Sequence, residues 1–448
     1  MAAPLEKTKV GIVGMGTVGS GVAKLLLDYG DRTARHAGRT LWLESVVVRD
    51  FEKPRGVELP KGVLTDDLTK ITKNPEIVAV AHLVGGLEPA RTILLDLLES
   101  GKDVITANKA LLAEHGPELF DRARALGRSI AFEASVAGGI PIIANISQCL
   151  SANQIESLLG ILNGTSNFIL TQMEERDADY DEAVREAQRL GYAEADPTFD
   201  VDGRDAAQKL AILAHLAFGA RVHWSQIPRQ GIDTLDVIDL RYAKQLGYRI
   251  KLLASAQLVE DALELHVSPT LVKIGTPLAE VRGAYNAIAV VGDAVGRLFF
   301  HGLGAGQMPT ASAVVADMID TVVGRTGITF RTLELWSNRE ARVTQRDYDN
   351  VLGRYYMRFR VDDHPGVLAE VAGALGRASV SIASVLQQET DQLRPGENHV
   401  GPQSAGESIV DLVIMTHKAS EGAARRAMED ISKLPSVRPG SVRLRIRG

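Results

Sequence analysis

Hydrophobic and polar positions alternate along this chain in rhythms that divide it into three parts. Lys9 to Val13 is a short apolar run with β-branched residues, the pattern of a strand buried on both faces. Val18, Val22, Leu25 and Leu26 then recur at helical spacing. A second strand is predicted over roughly Leu41 to Val48, ending at Arg49–Asp50, and a third ends in "AHLVGG" near residue 85. A helix from about Pro89 to Ser100, the strand and turn "DVITANK" (103–109), a helix around 118–127 and a strand "SIAFEASV" (129–136) follow. Strands alternating with helices in this way predict a mostly parallel, doubly wound sheet of Rossmann type over residues 1–140.

The rhythm changes after residue 140. Long helices (about 179–190, 203–218 and 237–246) mix with alternating strands such as "KLLASAQL" and "ALELHVSP", which predicts an α+β catalytic and dimerisation domain over 141–325. A polar, arginine-rich linker is assigned to 326–353, within a polar stretch that runs from 320 to 354. Residues 354–448 read strand, helix, strand, strand, helix, strand, a ferredoxin-like βαββαβ unit, with a polar Gly/Pro loop at 391–407.

Composition narrows the class. The 448 residues are 45% hydrophobic and 24% charged, as in globular proteins with substantial cores. A net charge of −6 gives no reason to expect nucleic acid or an acidic membrane as partner. Cys149 stands alone, which excludes an intrachain disulfide and fits a reducing, cytoplasmic setting. The N-terminal residues do not read as a signal peptide. The stretch Ala134–Met173 has one charge, Glu156, but its glycines, proline and amides break it too often for a membrane span.

Gly14, Gly16 and Gly19 form G-x-G-x-x-G between a predicted strand and an amphipathic helix, the context a dinucleotide-binding turn requires. The strand end that selects the cofactor offers both Arg49, suited to a 2′-phosphate, and Asp50, suited to ribose hydroxyls. Arg49 comes first, so NADP(H) is preferred in this reading and NAD(H) remains open. In "GYAEADPTFDVDGRDAAQKL" (191–210), Asp202 is placed as a helix N-cap with Asp205 at its third helical position, and Asp205 and Lys209 share a face. Such a pair is commonly a solvated ion pair. At the mouth of an apolar helix, behind an acidic loop holding Glu194, Asp196 and Asp200, it suits another use: lysine as proton donor, carboxylates for a substrate ammonium group. Cys149 has no basic neighbour and reads as a core residue. His215 and His223 are not in zinc-ligand spacing with any cysteine.

The glycine turn, "TANK" (106–109), "EASVAGGIP" (133–141), "LNGTSNFIL" (162–170), the 191–210 segment and "GLGAGQMPTASAVVAD" (302–317) together closely resemble homoserine dehydrogenase over about residues 8–320. The tail, with "DDHPGVLAEVAGAL", resembles an ACT domain. The resemblance implies that Lys209 donates a proton to the carbonyl oxygen of L-aspartate 4-semialdehyde as NADPH delivers hydride, giving L-homoserine. It implies that Asp205 and Glu194 bind the amino group or hydroxyl of L-homoserine, and that Lys109 faces nicotinamide and substrate. Thr17 and Val18 would touch the cofactor through the glycine turn, and Gly191 and Gly306 would lie against its nicotinamide half. Lys109 read by itself is equally a solvated loop charge.

The same resemblance implies a structural monovalent cation, Na+ or K+, on Glu133 and the carbonyls of Val136, Gly138 and Ile140, although "EASVAGGI" alone reads as well as a plain strand exit. At the ACT turn "DDHPGV" (362–367) the family expectation is L-threonine as feedback ligand, within threonine, methionine and isoleucine biosynthesis, in a homodimer or homotetramer. The competing reading of the ACT tail is a dimerisation module, and that of the whole chain is a cofactor-binding amino-acid sensor without catalysis. Two features depart from the family pattern: the polar, basic stretch "LDYGDRTARHAGRTLWLE" before the second strand, and His82 just ahead of "LVGG", which is readable as a core histidine.

Overall fold

A computed structural model of the chain describes residues 5–333, 343–388 and 409–447. They form two compact units: residues 1–158, 207–227 and 286–344, and residues 159–206, 228–285 and 345–448.

The first unit is built on a parallel sheet. β1 (Lys7–Val13) leads through the glycine turn into α1 (Thr17–Asp28). The departing stretch before the second strand folds as a short helix, α2 (Gly30–Ala37), closed by Gly38 in the left-handed region at φ 66°. β2 (Thr40–Val47), β3 (Leu64–Thr65), α3 (Thr69–Thr72), β4 (Ile77–His82), α4 (Ala90–Glu99), β5 (Asp103–Thr106), α5 (Lys109–Ala125) and β6 (Ile130–Ala131) follow. Among the described residues the strand order is β3-β2-β1-β4-β5-β6, all parallel, so the order reverses between β1 and β4. The crevice outside the carboxyl ends of β1 and β4 is where this architecture binds ligands. Val10, Ile12, Val46, Ala79 and Ile105 of the sheet are buried with Val22 and Leu26 of α1. The helix Gln307–Val322 closes the same core through Ala311, Val314 and Met318.

Four expectations are corrected. The predicted strand 129–136 keeps only Ile130–Ala131 and then becomes a 3-10 turn, Glu133–Ser135. Glu133 turns the backbone out of the ladder: its N–H donates to Asp317 Oδ2, and its carboxylate accepts the Ile143 and Ala144 N–H groups. The helix expected from about 118 begins at Lys109, because Asn108 caps it at the Leu111 N–H and Pro117 is carried inside it. The polar stretch 320–354 includes a helix, Arg325–Leu333, whose Phe330 stacks on Phe120 at 5.3 Å. Cys149 is exposed on a π-helical turn, Asn145–Cys149, and is no core residue. The loop 391–407 lies outside the described residues.

In the second unit, Tyr248–Val259 and Ala262–Lys273 form an antiparallel hairpin of twelve facing pairs. The βαββαβ order of the C-terminal part is as expected. Its strands are Leu352–Asp362, Ile382–Gln388, Ile409–Thr416 and Val437–Arg447, and its helices Val367–Arg377 and Glu421–Ile431. The last strand lies within one continuous sheet: antiparallel to Leu352–Asp362 on one side, it runs parallel to Ala262–Lys273 on the other, with Arg445, Ile446 and Arg447 beside Thr270, Leu271 and Val272. Among the described residues no helix is long and apolar enough to cross a membrane.

Candidate active site

The glycine turn carries three different duties. Gly14, at φ 94°, lies where an added Cβ would come 2.7 Å from the Leu83 carbonyl oxygen, and a Cβ at Gly19 would fall 2.3 Å from the Gly14 carbonyl oxygen. At Gly16 an added Cβ meets no atom of the protein within 4 Å. The first and third glycines are therefore required by the fold, while the second leaves an open cradle in front of α1. That helix starts at Thr17 and Val18 without a side-chain cap, so its first amides are free of the usual competitor for an anion. A pyrophosphate fits this arrangement.

The end of β2 adjoins the turn, for Gly14 N–H donates to the Val47 carbonyl at 2.9 Å. Arg49 is exposed at the strand tip. Asp50 is engaged in its own loop, its Oδ1 accepting the Glu52 N–H at 2.9 Å.

At the carboxyl ends of β4 and β5, Asn108 donates to the carbonyls of Val84 and Gly86 and holds the turn that presents Lys109. His82 lies beneath it, fully buried, with Nδ1 3.4 Å from Thr106 Oγ1. Burial pushes its pKa down to about 4, so the ring is neutral at physiological pH.

Two motifs far apart in sequence meet in the first unit. Gly139 N–H donates to the Leu303 carbonyl at 3.0 Å, and a Cβ at Gly138 would come 2.9 Å from the Gly304 carbonyl oxygen. The turn is tight enough to hold Ala137 at φ 51°, a left-handed conformation that costs a non-glycine residue energy. Gly306 stands before the helix Gln307–Val322 at φ 121°, and that helix packs on α1 where Gly21 meets Ala311. Glu133 is buried; desolvation, partly offset by the amides of Ala144 and Ile143, holds its carboxyl up at about 7.

In the second unit Asn163 gathers the acidic residues. Its Oδ1 caps the helix Gly164–Arg176 by accepting the Ser166 N–H, and its Nδ2 donates to Asp200 Oδ1 at 2.7 Å and Asp205 Oδ2 at 2.8 Å. Ser166 Oγ donates to the Asp200 carbonyl and Thr165 Oγ1 to that of Tyr192, fixing the acidic loop. Asp205 is 3% exposed, whereas Glu194 is exposed and Asp196 accepts from Thr198 within its own turn. The helix Arg204–Phe218 carries Asp205 and, one turn later, the half-buried Lys209. Asp202 lies ahead of this helix, accepting the Arg204 N–H at 3.0 Å. Gly191, at φ 76°, follows the helix Tyr180–Arg189. Asn163 was missed as a site residue by sequence reasoning, although an asparagine ahead of a Gly-Thr-Ser helix start is an N-cap signal.

A doubly wound sheet with an open glycine cradle, in a chain whose helix Arg204–Phe218 carries a buried carboxylate one turn from a half-buried lysine, is the pattern of a nicotinamide-dependent oxidoreductase. Family models for the NAD-binding domain of homoserine dehydrogenase, for homoserine dehydrogenase and for the ACT domain match residues 14–133, 141–319 and 355–436. The homoserine dehydrogenase of Synechocystis sp. is 41% identical over 96% of this chain and 97% of that protein, and that of Pseudomonas aeruginosa 40% over 99% of each. The crystal structure of a homoserine dehydrogenase from Thiobacillus denitrificans superposes with a TM-score of 0.88 at 40% identity, covering 99% of each chain. A hyperthermophilic archaeal homoserine dehydrogenase mutant in complex with NADPH matches 70% of this chain and 97% of its own, at 25% identity and a TM-score of 0.58. The chain belongs to the homoserine dehydrogenase family and carries a C-terminal ACT domain; it is an oxidoreductase acting on a CH–OH group.

Proposed function

We propose that the chain interconverts L-homoserine and L-aspartate 4-semialdehyde with NADP(H) preferred and NAD(H) as a weaker second cofactor. The observation that carries the substrate side is the Asn163 clamp on Asp200 and Asp205. An amide that donates to both carboxylates holds them side by side, and carboxylates so placed suit the substrate's ammonium group, with Glu194 closing from the exposed loop. Lys209, on the same helix as Asp205, gives its proton to the aldehyde oxygen during reduction and takes the hydroxyl proton during oxidation. Lys109 orients the substrate at the end of β5. The bound nicotinamide supplies or accepts the hydride. Gly14, Gly16, Thr17, Val18 and Gly19 receive its pyrophosphate, while Gly191 and Gly306 leave room for the nicotinamide half. Arg49 takes the 2′-phosphate, a reading supported by the engagement of Asp50 within its own loop.

Glu133 and the carbonyls of Val136, Gly138 and Ile140 offer one carboxylate and three neutral oxygens, a donor set suited to a hard monovalent cation, Na+ or K+, that would brace the strained turn at Ala137. L-Threonine at the turn 362–367 would make the ACT domain a feedback module for threonine, methionine and isoleucine biosynthesis. A cytoplasmic homodimer or homotetramer completes the proposal.

The test is oxidation of L-homoserine with NADP and with NAD, by wild type and Lys209→Ala, with and without L-threonine and added K+ or Na+. Loss of a general acid costs about 10²–10⁴ in rate, so Lys209→Ala should retain under a hundredth of wild-type turnover. Retained turnover in that variant removes Lys209 from the role, and no cofactor reduction by wild type under any condition removes the reading.

A further inference from the structure

We propose that Arg55 is a positioning residue for cofactor choice, shaping the loop after β2 so that Arg49, and not Asp50, meets the adenosine ribose. The inference rests on the NADP(H) reading above. One Arg55 guanidinium gathers three backbone carbonyls of the loop: Nη1 donates to Phe51 at 3.0 Å and Lys53 at 2.7 Å, and Nη2 donates to Asp50. Its Nε is buried without a hydrogen-bond partner. A rigid planar fork is the side chain that can hold several carbonyls in a fixed arrangement; a lysine ammonium, a single point donor on a flexible stem, cannot copy it.

The consequence falls on the neighbouring side chains. Asp50, itself exposed, has its carbonyl on Arg55 and its Oδ1 on the Glu52 N–H, so one of its carboxylate oxygens is engaged within the loop. An acidic residue at this strand end is what ordinarily accepts the ribose hydroxyls of NAD. With Asp50 Oδ1 held by the Glu52 N–H, Arg49 stands exposed at the tip, and Lys53 and Arg55 add positive charge within six residues of it. The strand end itself is fixed against the glycine turn by the Gly14-to-Val47 hydrogen bond, so the loop's shape is delivered to the cofactor side of the sheet. This concentration of positive charge suits a phosphate monoester on the ribose better than a free diol.

The experiment compares kcat/KM for NADP and NAD in wild type, Arg55→Lys and Arg55→Ala, together with competition of NADP by 2′,5′-ADP and 5′-AMP. The expected result is that the NADP/NAD ratio of kcat/KM falls about tenfold in both variants, through KM for NADP. In wild type, 2′,5′-ADP should compete at least ten times more strongly than 5′-AMP and lose that margin in Arg55→Lys. Three outcomes overturn the proposal: Arg55→Lys keeps the wild-type ratio, in which case charge alone suffices; both cofactors lose equally, in which case Arg55 only supports the fold; or neither loses. If the variants do not fold, equal competition by the two nucleotides in wild type still overturns it. Failure of the underlying reading is recognised separately, as a wild type that uses NAD better than NADP.

Discussion

Asn163 uses every hydrogen-bonding group its side chain possesses, one oxygen on a helix start and two hydrogens on two carboxylates. Replacing it by alanine removes the helix cap and the hydrogen bonds to Asp200 and Asp205, at a cost of about 1–3 kcal/mol. Asn163→Ala should therefore unfold at lower temperature and show a raised KM for L-homoserine with KM for NADP little changed, read by thermal denaturation and initial rates. His82 gives a residue-scale prediction of another kind. Its folded pKa is depressed to about 4 from an unbound value of 6.5. Its contribution to stability is complete above pH 6.5 and is lost as pH falls through 4, up to about 3 kcal/mol by linkage. Urea midpoints of wild type should thus fall more steeply than those of His82→Asn between pH 7 and 4; parallel curves would contradict this. The sequence flagged His82 as a departure but not its contact, because Thr106 comes from the neighbouring strand. Asn163 was overlooked for a similar reason: its acidic partners lie 37 and 42 residues away.

The glycine turn and the last strand show how elements divide the labour. Substituting Gly16 by alanine adds a Cβ that meets nothing in the protein, whereas the same change at Gly19 drives a Cβ into the Gly14 carbonyl. Gly16→Ala should keep its melting temperature within about 2 °C and raise KM for NADP at least tenfold, while Gly19→Ala should melt several degrees lower. A Gly16→Ala enzyme with wild-type KM would show that the cradle is not where the cofactor lies. The strand Val437–Arg447 falls just beyond the stretch matched by the ACT model, which ends at 436, yet it buries Val442, Leu444 and Ile446 and pairs on both edges. Leu444→Ala should lower stability by about 2–5 kcal/mol, the range for a buried leucine cavity, measured as a shifted denaturant midpoint with unchanged slope. Two of the corrected elements, the shortened strand at Ile130 and the helix from Lys109, share one cause. Glu133 and Asn108 redirect the backbone through hydrogen bonds to amides or carbonyls that hydrophobic periodicity does not register.

For the whole molecule, a cofactor that binds only the folded state stabilises it by about 2.7 kcal/mol at a hundred times its Kd. NADP should accordingly raise the melting temperature more than NAD at equal concentration, and equal shifts would count against the 2′-phosphate reading. The division into a doubly wound sheet, a mixed middle and a βαββαβ tail was legible in the chain itself, since strand and helix periods differ and glycines mark the turns that join them. So were Gly14, Gly16, Gly19, Asp205 and Lys209, because their meaning lies in spacing over a few residues. Tertiary structure alone decided that Asn163 bridges two carboxylates, that Arg55 gathers a loop around itself, and that the final strand pairs with a neighbour on each edge within one sheet. Each depends on which backbone or side-chain atom, two residues away or many, comes within about 3 Å, and hydrophobic periodicity carries no information about that.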